Sequence, residues 1–206
     1  LFIFKFVCVL SLLIGAYGAM TQTVIKRLLA FSSINHIGFI LLSILSFQFL
    51  SQGIFFFYLI IYLVTSFGVF SILLTLRNNL GEIKLITDLS GLKTHNKSKA
   101  IALLALFFSL AGIPPFAGFF AKFFILTASM NEGLIYLSLI AVLSSVIAAF
   151  YYLRIIKTMF FNEGEDTLQE NSMFYHNVTY ILSALFVTFF AFYPDPIIFI
   201  INNYFS

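Results

Sequence analysis

Six apolar runs take up most of this chain and leave it few ways to fold. They are Leu1–Met20, Ile34–Leu50, Ile54–Leu76, Ala100–Met130, Leu134–Ile156 and Phe174–Tyr193. The hydrocarbon core of a bilayer, about 30 Å thick, is crossed by roughly 20 apolar residues in a helix. Each run is of that order. None alternates with the period of two that a barrel strand requires, so the spans are expected to be helices. What lies between them cannot clothe a soluble surface. Charged residues are 9% of the chain and 29 residues are Phe, whereas soluble domains carry about 25% charge. The same composition excludes disorder. The lone Cys8 sits inside an apolar run, which excludes a disulfide framework and a Cys-based zinc, iron–sulfur or haem site. A net charge of +3 is too small to point to nucleic acid. No signal-peptide pattern opens the chain. Trp is absent, and heavy use of Phe, Ile, Leu and Asn suggests AT-rich coding of the kind found in organelle genomes.

Ala100–Met130 is the unusual run. As one helix its 31 residues would reach about 46 Å, too long for one straight span. Two spans would need about 40 residues. Inside it lies Ala111-Gly112-Ile113-Pro114-Pro115. Consecutive prolines remove two N–H donors and orphan the carbonyls of Leu110 and Ala111. Each also drives the preceding residue out of helical geometry. The helix must break, with Gly112, Pro114, Pro115 and Gly118 marking the discontinuity. Charge decides between one broken span and two short ones. With one, Lys26, Arg27, Arg77, Lys84, Lys93, Lys97, Lys99, Arg154 and Lys157 share a side, and Lys5 alone opposes them. With two, Lys5, Arg154 and Lys157 oppose the other seven. The positive-inside rule favours the first arrangement. The expected fold is therefore an all-α integral membrane protein of about six transmembrane helices, the fourth discontinuous.

The connections carry further expectations. In Arg77–Lys99, Ile83, Ile86, Leu89 and Leu92 recur every three residues, which predicts a short surface helix ending near Gly91. Asn162–Ser172 is acidic and reads as a solvated loop. Pro194-Asp195-Pro196 ends the last span. Asn177-Val178-Thr179 has the form of a glycosylation sequon but falls in the first turns of a span on the basic side, so it reads as chance. Lys26 and Arg27 are interface anchors, and Ser32 or Ser33 is expected to cap the second helix. His36 would then lie about one turn inside.

Lys122 is the sharpest chemical signal. It lies seven residues past the double proline, flanked by Gly118-Phe119-Phe120-Ala121 and Phe123-Phe124-Ile125-Leu126. A charge at membrane depth costs about 2.5–3.5 kcal/mol on insertion scales and usually marks an ion or proton path. Broken helices offer unpaired carbonyls and helix ends that hold water and ions. Lys122 is thus the candidate proton relay, the bland alternative being a lysine that pairs structurally or snorkels to an end. His36 is a secondary relay candidate, because imidazole titrates near neutrality; a satisfied structural histidine is the commoner case. In the third span Tyr58 and Tyr62 are the titratable side chains, and Thr65 and Ser66 can bond between helices or hold water. There is no Gly-rich phosphate loop, no Ser/His/Asp set and no His/Glu cluster at metal spacing.

The order and spacing of TQTVIKRLLAFSSINHIGF, LFFSLAGIPPFAGFFAKFFIL and AVLSSVIAAFYYLRIIKTMFF resemble the proton-translocating antiporter-like subunits of respiratory complex I. Among these the chain is most similar to the N-type (subunit 2) branch. Lys122 stands at the discontinuous-helix position, where some relatives carry Glu, and Ile54–Leu76 lacks the His and Lys that other branches place there. The resemblance covers residues 1 to about 160, and the last span matches only in kind. It implies that 1–160 is a second antiporter-like repeat, a proton-translocating half-channel, and that 161–206 is an acidic loop and a last transmembrane helix. It further implies a mitochondrial inner-membrane subunit with the basic loops 77–99 and 158–173 on the matrix side, neighbouring membrane subunits and lipids as partners, and no cofactor on this chain. NADH, FMN, Fe–S clusters and ubiquinone would belong to other subunits. The family's first repeat, with its Glu and two Lys, has no counterpart here. It is expected on a separate polypeptide, as when an organellar gene has split. A cation/proton antiporter subunit and a structural membrane scaffold without a proton path are the alternatives.

Overall fold

The computed structural model describes residues 2–46, 51–78, 81–163, 169–170 and 174–192. Among these the long helices are α1 (Phe2–Met20), α2 (Ile25–Leu45), α3 (Ser51–Thr75), α5 (Lys97–Ala111), α6 (Ala117–Asn131), α7 (Ile135–Phe161) and α8 (Phe174–Phe192). The connection after α3 holds two short strands, β1 (Leu76–Asn78) and β2 (Gly81–Glu82), then a 3-10 turn over Ile86–Leu89 and the single turn α4 (Leu92–His95). A third strand, β3 (Gln169–Glu170), pairs with the other edge of β1, giving antiparallel order β2-β1-β3. Among the described residues, four helices are long and apolar enough to cross a membrane: α1, α2, Gly53–Thr75 of α3, and α7. The apolar part of α8, Phe174–Phe189, is shorter.

Backbone hydrogen bonds tie one end of the bundle together. The turn between α1 and α2 bonds the ribbon connection, from Ile25 N–H to the Lys84 carbonyl (2.9 Å) and from Ile86 N–H to the Thr23 carbonyl (3.0 Å). Gly91 N–H reaches the Asn162 carbonyl just past α7 (3.1 Å). The Arg154 guanidinium donates to the carbonyls of Met20 and Gln22. The start of α2, the end of α3, the start of α5 and the end of α7 therefore share this ribbon end. The start of α7 is at the far end, where Ser138 bonds Ser129 of α6 (2.6 Å). The chain between must pass once through the bundle along α5 and α6 in series. Each has 15 residues, about 22 Å of helix, too short to span singly. The described backbone thus runs through α5 and α6 in series, and residues 162–163 and 169–170 lie at the same end as the connection after α3.

The apolar faces turned outward include Phe2, Ile3, Phe67, Leu139, Val146, Leu182 and Phe189, all well exposed. In water such a belt would be untenable; in a bilayer it faces lipid or neighbouring helices.

Several boundaries differ from expectation. The second helix starts at Ile25, nine residues before its apolar run, so neither Ser32 nor Ser33 caps it. Val24 holds the cap position in extended geometry, pinned by its bridge to Leu85. Ser33 instead bonds back to the Leu29 carbonyl (2.9 Å). The basic connections are narrower than 77–99 and 158–173, because Lys97–Lys99 open α5 and residues 158–161 close α7. The surface helix before Gly91 is a 3-10 turn, with the period of three that the spacing shows, followed by Gly91 at φ 73°. Ile83, Ile86, Leu89 and Leu92 are buried, as that spacing requires. The β ribbon is unforeseen. Within the Asn162–Ser172 loop only 162–163 and 169–170 are described. Pro194-Asp195-Pro196 lies outside the described residues.

Candidate functional site: a buried amine at the helix break

The site is organised by the end of α5. Gly112 takes the left-handed conformation at φ 79°, which closes the helix. Its N–H bonds the Phe108 and Ser109 carbonyls, and the Ile113 N–H also reaches Phe108 (all 3.0 Å). Pro114 and Pro115 have no N–H to offer the carbonyls of Leu110 and Ala111. The amine of Lys122 takes their place. Its Nζ donates to the Leu110 carbonyl at 2.9 Å and to the Ala111 carbonyl at 3.0 Å. The two acceptors orphaned by the prolines are the two that the lysine satisfies. They also form the negative end of the α5 dipole, favourable for a cation. The Phe39 ring lies 5.2 Å from Nζ, within cation–π range. Lys122 is 5% exposed.

Two glycines make room. A Cβ on Gly112 would stand 2.8 Å from Lys122 Cδ, so the lysine stem runs where a side chain would be. Gly118, in the first turn of α6, rests on the Ser109 backbone, and a Cβ there would overlap the Ser109 carbonyl oxygen. Its N–H donates to Ser109 Oγ at 3.1 Å. α6 thus starts against the last turn of α5, which aims Lys122 back at the break.

His36 faces the same small cavity as Lys122, with Tyr58, Tyr62, Thr65 and Ser109. It sits about three turns into α2 and is 4% exposed, deeper than a one-turn position would place it. Its Nδ1 is 2.7 Å from the Tyr58 hydroxyl, and its ring is 4.7 Å from that of Tyr62. The structure therefore brings both relay candidates together. Thr65 does not bond between helices; its hydroxyl bonds the Ile61 carbonyl one turn back. Lys26 and Arg27 are apart from this cluster, exposed at the ribbon end. Lys26 pairs with Glu82 across 2.8 Å. That hydrogen bond and charge hold the Glu82 carboxyl below its ordinary range.

Sequence reasoning missed two features. Lys99, which its sequence position groups with the basic loop, is 1% exposed, and its Nζ donates to Thr75 Oγ1 at 3.1 Å. Asn96, three residues earlier, was the available signal: its side chain caps α5 by accepting from the Lys99 N–H at 2.9 Å. The second is a hydrogen bond between Ser32 of α2 and Tyr152 of α7, which only the packed bundle brings together.

The family described as NADH:quinone oxidoreductase/Mrp antiporter, transmembrane, matches residues 2–148. A protein named NADH-quinone oxidoreductase subunit N from Rhodospirillum rubrum is 41% identical over 194 residues, 93% of this chain but 39% of that relative. The chain thus spans about two fifths of the length of such relatives. Among solved structures, a chain of respiratory complex I from Thermus thermophilus superposes with TM-score 0.83 at 24% identity, covering 95% of this chain and 44% of its own. A chain of the Mrp complex from a Dietzia species gives TM-score 0.69 at 30% identity, covering 81% and 30%.

Proposed function

The chain belongs to the NADH:quinone oxidoreductase/Mrp antiporter transmembrane family, and from that premise we propose that it contributes a proton-translocating half-channel to the membrane arm of respiratory complex I. Residues 1–160 would be the second antiporter-like repeat, and 161–206 a connecting loop and last helix. The observation that carries the reading is the buried Lys122 amine on the Leu110 and Ala111 carbonyls. A lysine that only caps a helix end needs no hydrated neighbour and no second titratable group. This one rests on two neutral acceptors at a helix end, beside a cavity and a histidine. Such an amine can bind a proton, held by the helix-end carbonyls, and pass it to water when the neighbouring charge changes. His36 and Tyr58 would adjust the charge and hydrogen bonding beside it.

The redox chemistry, with NADH, FMN, Fe–S clusters and ubiquinone, is assigned in this reading to other subunits. The helices of the first repeat lie outside these 206 residues, and the exposed apolar faces support helices of that kind packing against this bundle. Phe-rich, Trp-free composition supports the mitochondrial inner membrane, with the ribbon end facing the matrix. The likeness to an Mrp complex chain favours a second reading, a cation/proton antiporter subunit. One experiment separates them: isolate the assembly containing this chain in mild detergent, identify its chains by mass spectrometry, and assay quinone-dependent NADH oxidation. The proposal expects that activity in the same fraction, together with a chain bearing the first repeat. A fraction that exchanges cations for protons but does not oxidise NADH would replace it with the second reading.

A further inference from the structure

α3 and α8 touch where both carry small residues. A Cβ on Gly68 would stand 2.7 Å from Ser183 Cβ. Outward of that contact the larger side chains diverge and leave an open groove of about 940 Å³. Val64 and Phe67 form one wall; Val178, Leu182, Phe186 and Phe189 form the other. Phe67, Leu182 and Phe189 are each more than half exposed. The hydroxyls of Thr179 and Thr188, also in the α8 wall, bond the carbonyls of Tyr175 and Ala184 one turn back. Being satisfied within their own helix, they offer little to a polar partner.

The depth of the groove is that of one leaflet. α8 starts at the ribbon end, because β3, just before it, pairs with β1. Measured along the helix from Phe174, Val178 lies about 6 Å in and Phe189 about 22 Å in. The groove therefore follows about 16 Å of α8, close to half of a hydrocarbon core of about 30 Å. A spanning partner helix would need a seat across the whole thickness. Phe174 and Tyr175, both exposed, stand at the upper rim, where aromatic side chains meet the headgroup region.

Above that rim the charge is positive. The strand that continues α3 carries the exposed Arg77, opposite Glu82 on one side and Gln169 on the other. Lys26 pairs with Glu82, and Arg77 and Lys84 lie near enough for their charges to act on the same carboxylate. Three basic groups thus surround one acidic group. From there the exposed Leu74, Phe70 and Phe67 descend α3 one turn at a time into the groove. Basic groups above an apolar crevice at the membrane surface are the arrangement that recognises an anionic lipid headgroup.

We propose that the α3–α8 groove seats a phospholipid of the ribbon-side leaflet, its acyl chain between the two helices and its anionic headgroup on Arg77. This site is separate from the Lys122 cluster and requires only that the bundle spans a membrane.

The test reconstitutes the assembled complex in phosphatidylcholine vesicles containing a small fraction of a photoreactive lipid. One set contains phosphatidylglycerol with a diazirine at mid-chain, the other phosphatidylcholine with the same chain. After illumination, adducts on this chain are mapped by mass spectrometry. Adducts at Phe67 and Leu182 are expected, about fivefold more abundant with phosphatidylglycerol, the ratio that about 1 kcal/mol from one basic residue gives. Arg77→Gln should abolish that preference. Thr179→Phe, which fills the groove, should lower the Leu182 adducts of both lipids and leave those on Leu10 and Leu13, on the outward face of α1, unchanged. Equal labelling by the two lipids in the parent, or a preference that survives Arg77→Gln, overturns the proposal and leaves only unspecific boundary lipid. Benzoylphenylalanine in place of Phe67 that crosslinks to a protein chain instead of lipid also overturns it, and gives the groove to a partner helix. If Thr179→Phe does not assemble, the headgroup preference and its loss in Arg77→Gln decide alone.

Discussion

Gly118→Ala should damage the site more than so small a change suggests. The added methyl would overlap the Ser109 carbonyl oxygen and stand 2.7 Å from the Ser109 carbonyl carbon. Those are backbone atoms in the capped last turn of α5, so no side-chain rotation relieves them. Overpacking of this kind costs about 1–3 kcal/mol. Moving α6 away also breaks the bond from Gly118 N–H to Ser109 Oγ, a loss of about 1 kcal/mol. Better helix propensity returns up to about 1 kcal/mol, leaving a net loss of about 1–3 kcal/mol. Gly112→Ala supplies the contrast. Its cost has one part from the positive φ, about 1–2 kcal/mol, and another from Lys122 Cδ at 2.8 Å. Removing the lysine stem with Lys122→Ala should relieve the second part but do nothing for Gly118→Ala. The assay is the heat-inactivation midpoint and yield of the assembled complex in mild detergent. Gly118→Ala with the heat stability of the parent would refute the close approach of α6 to the break. Relief of its defect by Lys122→Ala would show that the clash is with the lysine and not with Ser109.

Three further outcomes are expected. Asn96→Ala removes the α5 cap and should cost about 1 kcal/mol, read as a lower inactivation midpoint. Arg154→Lys keeps the charge but loses the fork that spans the carbonyls of Met20 and Gln22, so the midpoint should again fall; an unchanged value would show that the fork contributes nothing. Glu82, held below its ordinary 4.5 by the Lys26 hydrogen bond, contributes stability that is present above that value and lost as the pH falls through the lower folded one. Its side chain is 59% exposed, so Lys26→Ala should barely change the midpoint at neutral pH and should flatten its acid-side decline.

How much the residues disclose depends on the range of the forces involved. The break at Pro114 and Pro115 was legible because missing N–H groups are a local property, and the same arithmetic named Leu110 and Ala111 as the orphaned carbonyls. That Lys122 would take them was not legible: it depends on the Gly112 turn folding α6 back against Ser109. The start of α2 is not legible because Lys26 and Arg27 look like the end of a loop. Pairing with Leu85 and Lys84, some sixty residues on, places them in a helix. The same start places His36 about three turns, not one, inside α2. The ribbon escaped notice because strands of two or three residues carry no periodic pattern. Lys99 shows the limit of counting charges by side, since sequence cannot separate a basic residue at an interface from one buried against Thr75.

The most direct test is proton movement in Lys122→Met. The stability terms nearly offset one another. Loss of two charge-assisted hydrogen bonds costs about 3–6 kcal/mol, while removal of a charge at membrane depth returns about 2.5–3.5 kcal/mol, and methionine refills the stem's volume. The variant should therefore assemble. Protons moved per NADH, measured in vesicles with assembled complex quantified alongside, should fall steeply. They should fall in Lys122→Arg as well, because guanidinium holds its proton through the cycle. An assembled Lys122→Met complex that pumps as the parent does would contradict the account.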